Sequence, residues 1–241
     1  MNYKTYLIIL GLAIAFIPVS ANAFPEHDSS KNSNLPTAKT TKAANSFNFL
    51  AGFKPPDRGQ PKYTVGGATR GNGCAIDLED RIEMTALVPK KNQSLTLQSH
   101  PSLFVYVSPI NGNKSATLII KDETEDYYYS QQLTTPASGG IVKMTLAEDA
   151  PQLEINKDYT WFLRIQCNSA PEPEDPQISA SIMRVEGDTP NLDRSDLVLF
   201  YAKSQIWYDS LNSAFELSQS GENIYWTQLL NNIDMDKFIA Q

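Results

Sequence analysis

The run "DYTWFLRIQC" constrains this chain more than any other stretch. Within it Tyr159, Trp161, Leu163, Ile165 and Cys167 recur at every second position. In an extended strand such residues share one face, and that face is too large and apolar to stay in water. The same kind of segment recurs through the middle of the chain. "RIEMTALVP" alternates Ile82, Met84 and Ala86 against polar neighbours, and "SLTLQ", "PSLFVYVSP", "ATLIIKDE", "YYYSQQL", "GIVKMTLA" and "PQISASIMRV" are short and rich in β-branched and aromatic residues. Turn-forming stretches such as "PINGNK" and "TPASGG" separate them. Closely spaced strands with no helix between them predict a sandwich or barrel rather than a parallel sheet.

Upstream of the best strand stand Leu153, Ile155, "NKD" and then Tyr159. This resembles the tyrosine corner of immunoglobulin-like and fibronectin-like domains, in which a tyrosine near the start of a late strand bonds back to upstream backbone. The match is partial, because Cys167 follows Tyr159 by eight residues rather than two. Beyond "EGDTPNLDRSD" the period changes. On a helical wheel from Leu197 to Leu217, Leu197, Phe200, Tyr201, Trp207, Tyr208, Leu211, Ala214 and Phe215 form a broad apolar stripe. Gln205, Asp209, Asn212, Ser213 and Glu216 fill the polar side, which places Asp209 toward solvent. Trp226, Leu229, Leu230 and Ile233 repeat with helical spacing, and Gly221 is placed to end the first helix. Asp234 is positioned to cap a last short turn. The fold expected is mainly β: an immunoglobulin-like or fibronectin-like antiparallel β-sandwich over 53–187, with a C-terminal α-helical hairpin over 188–241.

The N-terminal part reads differently. Lys4, the apolar run "YLIILGLAIAFI" and the A-x-A site at Ala21–Ala23 have the pattern of a secretory signal peptide, 1–23. The run is shorter than the roughly 20 apolar residues of a spanning helix, so no transmembrane segment is expected after cleavage. Residues 24–52 are polar enough to be a disordered linker. Export favours pairing of the two cysteines, Cys74 with Cys167. On the chain-entropy model such a bridge contributes on the order of 4 kcal/mol. A net charge of -7 gives no general attraction for nucleic acid.

Several motifs together resemble one family. "FKPPDRGQPKYTVGGATRG", "MTALVP", "HPSLFVYV", "KDETEDYYY", "YTWFLRIQC", "LFYAKSQIWYDSLNSAFEL" and "YWTQLL" run in order from Phe53 to Leu230. They resemble the exported cyanobacterial family named domain of unknown function 928. The resemblance implies no activity, substrate or cofactor, and so no functional residue is carried over from it.

Candidate sites follow from the residues alone. Arg58 and Arg70 flank a Pro/Gly-rich stretch and are forked donors suited to carboxylate or phosphate, although neither phosphate-loop pattern is present. The alternative is a structural arm laid along a sheet edge. Asp122–Asp126 concentrates carboxylates without the spacing or glycine of a calcium loop, and reads as a solvated turn. Tyr127, Tyr128 and Tyr129 must alternate in direction, so Tyr128, beside Tyr106, is a candidate for sugar stacking or partner anchoring. Two histidines, His27 and His100, leave little for a triad, and there is no G-x-S-x-G elbow. No catalytic residue, metal site or cofactor is expected. The function expected is that of a periplasmic or secreted, non-enzymatic module binding another envelope or secreted protein. A carbohydrate-binding module is the alternative, and a hydrolase using His100 or a carboxylate stands behind it.

Overall fold

The computed structural model describes residues 82–89, 94–233 and 235. The signal peptide, the linker, Arg58, Arg70, Cys74 and Asp234 lie outside the described residues.

Each of the eight apolar runs forms a strand. They are β1 (Met84–Ala86), β2 (Ser94–Thr96), β3 (Ser102–Val107), β4 (Lys114–Lys121), β5 (Tyr128–Thr135), β6 (Gly140–Thr145), β7 (Asp158–Ile165) and β8 (Gln177–Arg184). One sheet has the order β1-β3-β6 and the other β2-β8-β7-β4-β5. The alternation of β7 is realised: Tyr159, Trp161, Leu163 and Ile165 are buried while the residues between them are not. They meet Ala116, Leu118 and Ile120 of β4 and Ile178, Ala180 and Ile182 of β8 in one core shared with the three-stranded sheet. At roughly 1.5–3 kcal/mol for each fully buried large side chain, this face outweighs any local propensity.

The antiparallel expectation needs one correction. β2 pairs with β8 in parallel, while the other pairings are antiparallel. β1 and β2 lie close in sequence but belong to different sheets, each at an edge. Between β5 and β6 the turn is tight. Gly139 has φ +66°, and a Cβ there would lie 2.6 Å from backbone atoms of Val107, Ser108 and Pro109. Only glycine fits that approach.

Tyr159 does form the bond suggested by its position, its hydroxyl oxygen accepting the Glu154 amide N–H at 3.0 Å. Tyr127 packs edge-on against it, with ring centroids 4.9 Å apart, and donates to the Pro151 carbonyl at 2.6 Å. The β4–β5 turn is thereby tied to the segment that leads into β7.

The C-terminal part differs from the expected hairpin, because among the described residues it holds three helices: α1 (Arg194–Lys203), α2 (Trp207–Gln219) and α3 (Ile224–Asn231). The single helix expected from Leu197 to Leu217 breaks at 204–206. Gln205 takes φ +63°, its N–H bonds to the Ala202 carbonyl, and the Ile206 N–H bonds to the Tyr201 carbonyl. These are the two bonds of a Schellman C-cap, sealed by Ile206 packing in one cluster with Tyr201. Gly221, at φ +95°, ends α2 with the same bond pair, Gly221 N–H to Ser218 and Glu222 N–H to Leu217.

The helices close the core rather than decorate it. Phe104 of β3 points away from the five-stranded sheet and meets Phe215 and Trp226 at centroid distances of 5.2 and 5.9 Å. Trp207 donates its indole N–H to the Leu87 carbonyl at 2.8 Å. The buried Trp161 indole donates to the Tyr208 hydroxyl at 2.7 Å, and Tyr208 donates to the Ser181 carbonyl at 2.9 Å. The first residues of α2 thus bind both sheets.

Candidate functional site

The start of α2, the end of β2 and the start of β3 enclose a pocket of about 170 Å³. Thr96, Gln98, His100 and Ser102 line one side, and Tyr201, Tyr208, Asp209, Asn212 and Ser213 the other. The polar stripe of α2 is therefore covered at Asp209 and Ser213 rather than open to solvent as the helical wheel suggested, while Asn212 and Glu216 stay partly exposed. The segment 96–102 provides the cover, and Asp209 is only 4% exposed.

Asp209 sits in the first turn of α2, where a negative charge is favoured by the helix dipole. Its Oδ2 accepts the Leu97 amide N–H at 3.1 Å. Its Oδ1 is shut off from solvent and has no hydrogen-bond partner. One turn further on, Asn212 donates Nδ2–H to Glu216 at 3.2 Å, while its own Oδ1 is equally enclosed and without a donor. Burial pushes the Asp209 carboxyl above the ordinary carboxylate range, opposed in part by the Thr96 and Gln98 side chains and then by the Leu97 amide. His100 has both ring nitrogens engaged. Nε2 lies 2.9 Å from the Ala150 carbonyl, which can only accept, so Nε2 carries the proton. Nδ1, 3.1 Å from Ser99 Oγ, accepts from that hydroxyl. The ring thus bridges Ser99 and the loop at Ala150.

A second surface lies on the outward face of β5-β4-β7-β8. Cross-strand register sets Tyr128 beside Lys121, Lys121 beside Thr160, and Thr160 beside Ser181. The next row is Ser130, Ile119, Phe162 and Ser179. Tyr128 is 55% exposed, and the Lys121 ammonium stands 5.8 Å from the centre of the half-buried Phe162 ring. Arg164, one row on, gives Nε–H and Nη2–H to Gln177 Oε1 at 3.1 and 2.8 Å. This face is mixed aromatic, aliphatic and cationic.

The expected site residues are not brought together. Tyr128 is exposed as proposed, but Tyr106 is buried on β3 in the other sheet and cannot stand beside it. β3 is covered on both sides, so its alternation produces no outward set. The acidic turn is not simply solvated. Asp122 is buried, accepts the Tyr127 N–H at 3.2 Å and pairs with Lys157 at 2.8 Å, which holds its carboxyl below the usual range. Glu125 pairs with Lys121. Among the described residues no group of three or more His, Cys, Asp or Glu is placed to hold a metal ion, and no helix is long and apolar enough to cross a membrane. Cys167 lies just beyond β7, its N–H bonded to Asp175 Oδ1 at 3.0 Å. Asp209 is the residue that sequence reasoning passed over. Its only signal was an acidic side chain directly after the bulky pair Trp207–Tyr208, and the helix break that sets its direction carried no glycine.

The family comparison settles the relationship. The family described as Domain of Unknown Function (DUF928) matches residues 65–241. The chain belongs to this family. The DUF928 match takes in both sheets, the three helices and the pocket between them, so none of these lies outside the shared domain. It also takes in Arg70 and Cys74, but not Arg58. No curated protein matches the chain.

Proposed function

We propose that this DUF928 protein is an exported, non-enzymatic interaction module that docks another envelope or secreted protein on the outward face of β5-β4-β7-β8. The observation that carries this reading is the exposed Tyr128 in register with Lys121, next to Ile119 and Phe162. Rigid aromatics with few rotatable bonds anchor interfaces at low entropic cost, and the neighbouring polar residues suit a rim. The scaffold is read as a fibronectin-like sandwich. In support, three strands oppose a sheet containing β5-β4-β7-β8 in Greek-key order, and Tyr159 bonds back to the Glu154 amide. Export follows from the leader pattern of residues 1–23, and a bridge from Cys74 to Cys167 is consistent with the lack of a free thiol at Cys167. Affinity capture from envelope fractions tests the reading. A partner retained by the wild type and lost with Tyr128→Ala is the expected result; no reproducible partner, or the same set with both proteins, would overturn it.

A second reading rests on the same tyrosine. An exposed aromatic on a flat sheet face also stacks on sugar rings. A glycan array decides between the two, since saccharide binding that depends on Tyr128 would favour the carbohydrate module.

A further inference from the structure

We propose that the pocket at the start of α2 is a binding site for a small ligand carrying a guanidinium or primary ammonium group, held by Asp209 and Asn212. This inference is independent of the docking face, which belongs to the opposite side of the five-stranded sheet.

In the fold Asp209 accepts the Leu97 N–H through Oδ2, with the Thr96 and Gln98 side chains beside its carboxyl. An asparagine in the same place would accept that bond without burying a charge. The carboxylate is therefore not explained by the fold, and it is costly, since a desolvated anion needs a counter-charge or several donors. The Thr96 and Gln98 side chains and the Leu97 amide N–H act on the carboxyl, but burial outweighs them. Among the described residues its lining contains no lysine or arginine, and Asp209 Oδ1 has no donor. Asn212, three residues on and so on the same side of α2, leaves a second enclosed oxygen without a donor. Its amide nitrogen is already committed to Glu216. Two enclosed oxygens without a donor, one of them of a carboxyl group, lie on the same side of α2 in a pocket otherwise lined by hydroxyls, the Gln98 amide and the His100 ring, and match a forked cationic donor. A neutral polyol would meet the hydrogen-bonding need but leave the charge uncompensated. A cation meets both.

Calorimetric titration of the mature chain is the test. The probes are agmatine for a free small molecule and acetyl-arginine-amide for an arginine side chain of a protein; glucose is the neutral control. Saturable binding of either cation, weakened about tenfold or more by Asp209→Asn and several-fold by Asn212→Ala, is the result expected. The stronger of the two cations identifies the source of the head group. Thermal melts run alongside, so that loss of binding in a variant that melts no lower than the wild type cannot be ascribed to unfolding. Absence of binding by both cations at millimolar concentration would overturn the proposal. So would cation binding that ignores both substitutions, or glucose binding as tight as that of the cations.

Discussion

At Asp209 the requirements of folding and of binding point in opposite directions. Burial raises its carboxyl above the ordinary aspartate value of 3.8, so the ionised form is disfavoured in the folded state. Below 3.8 the group is neutral in both folded and unfolded chains and costs nothing. As pH rises through the folded value, the native protein loses stability that an uncharged side chain would keep. Asp209→Asn should therefore raise the melting temperature near neutral pH, and its advantage should fade as pH drops toward 4. For a domain this size each kcal/mol corresponds to roughly 2–4 °C, so thermal melts across that range resolve the effect. Asp122 has the reverse sign. The Lys157 hydrogen bond lowers its carboxyl, so its contribution is present at neutral pH and is lost only on acidification below 3.8. Tyr208 offers a third test. Tyr208→Phe strands the buried Trp161 N–H and the Ser181 carbonyl, and should cost about 2–4 kcal/mol in denaturant melts. None of these partnerships was legible in the sequence. Trp161 and Tyr208 are far apart along the chain, and only packing of α2 against β7 and β8 brings them together.

Among the elements, the strands were readable and the helices only half so. A period of two in Tyr159–Cys167 or in Met84–Ala86 follows from burial of one face, and short-range pattern is enough to find it. The sheet crossing between β1 and β2 is not encoded in that pattern, since either edge satisfies the same alternation. The end of α2 was visible because Gly221 adopts the left-handed conformation at no steric cost. The end of α1 was hidden because Gln205 does the same thing against its preference. Burial of Ile206 with Tyr201 holds it there. Replacing Gln205 by glycine should remove that strain, which is about 1–2 kcal/mol for a non-glycine residue in this region. Part of the gain is offset by the greater freedom of glycine in the unfolded chain. A net stabilisation of up to about 1 kcal/mol, read from chemical denaturation with an unchanged m-value, is the outcome expected. The wheel placed Asp209 toward solvent for a related reason, as it assumed that one face of α2 stays open. The segment 96–102 covers that face.

On the scale of the whole described domain, the two sheets and three helices share one core. The helices supply Phe215 and Trp226 against Phe104, and a charged link from Glu216 to Lys143 of β6 and to Arg194 of α1. Half-exposed ion pairs of this kind add little stability, so the aromatic contacts are what bind helices to sheet. If that is correct, the C-terminal helices cannot open without loss of the sheet core. Native-state hydrogen exchange measures this most directly. The amides of Trp161, Leu163 and Ile165 in β7 and of Leu211 and Ala214 in α2 should exchange with one common free energy, equal to that of global unfolding. Exchange in α2 at a markedly lower free energy than in β7 would show that the helices open on their own, and would contradict the shared core on which the pocket depends.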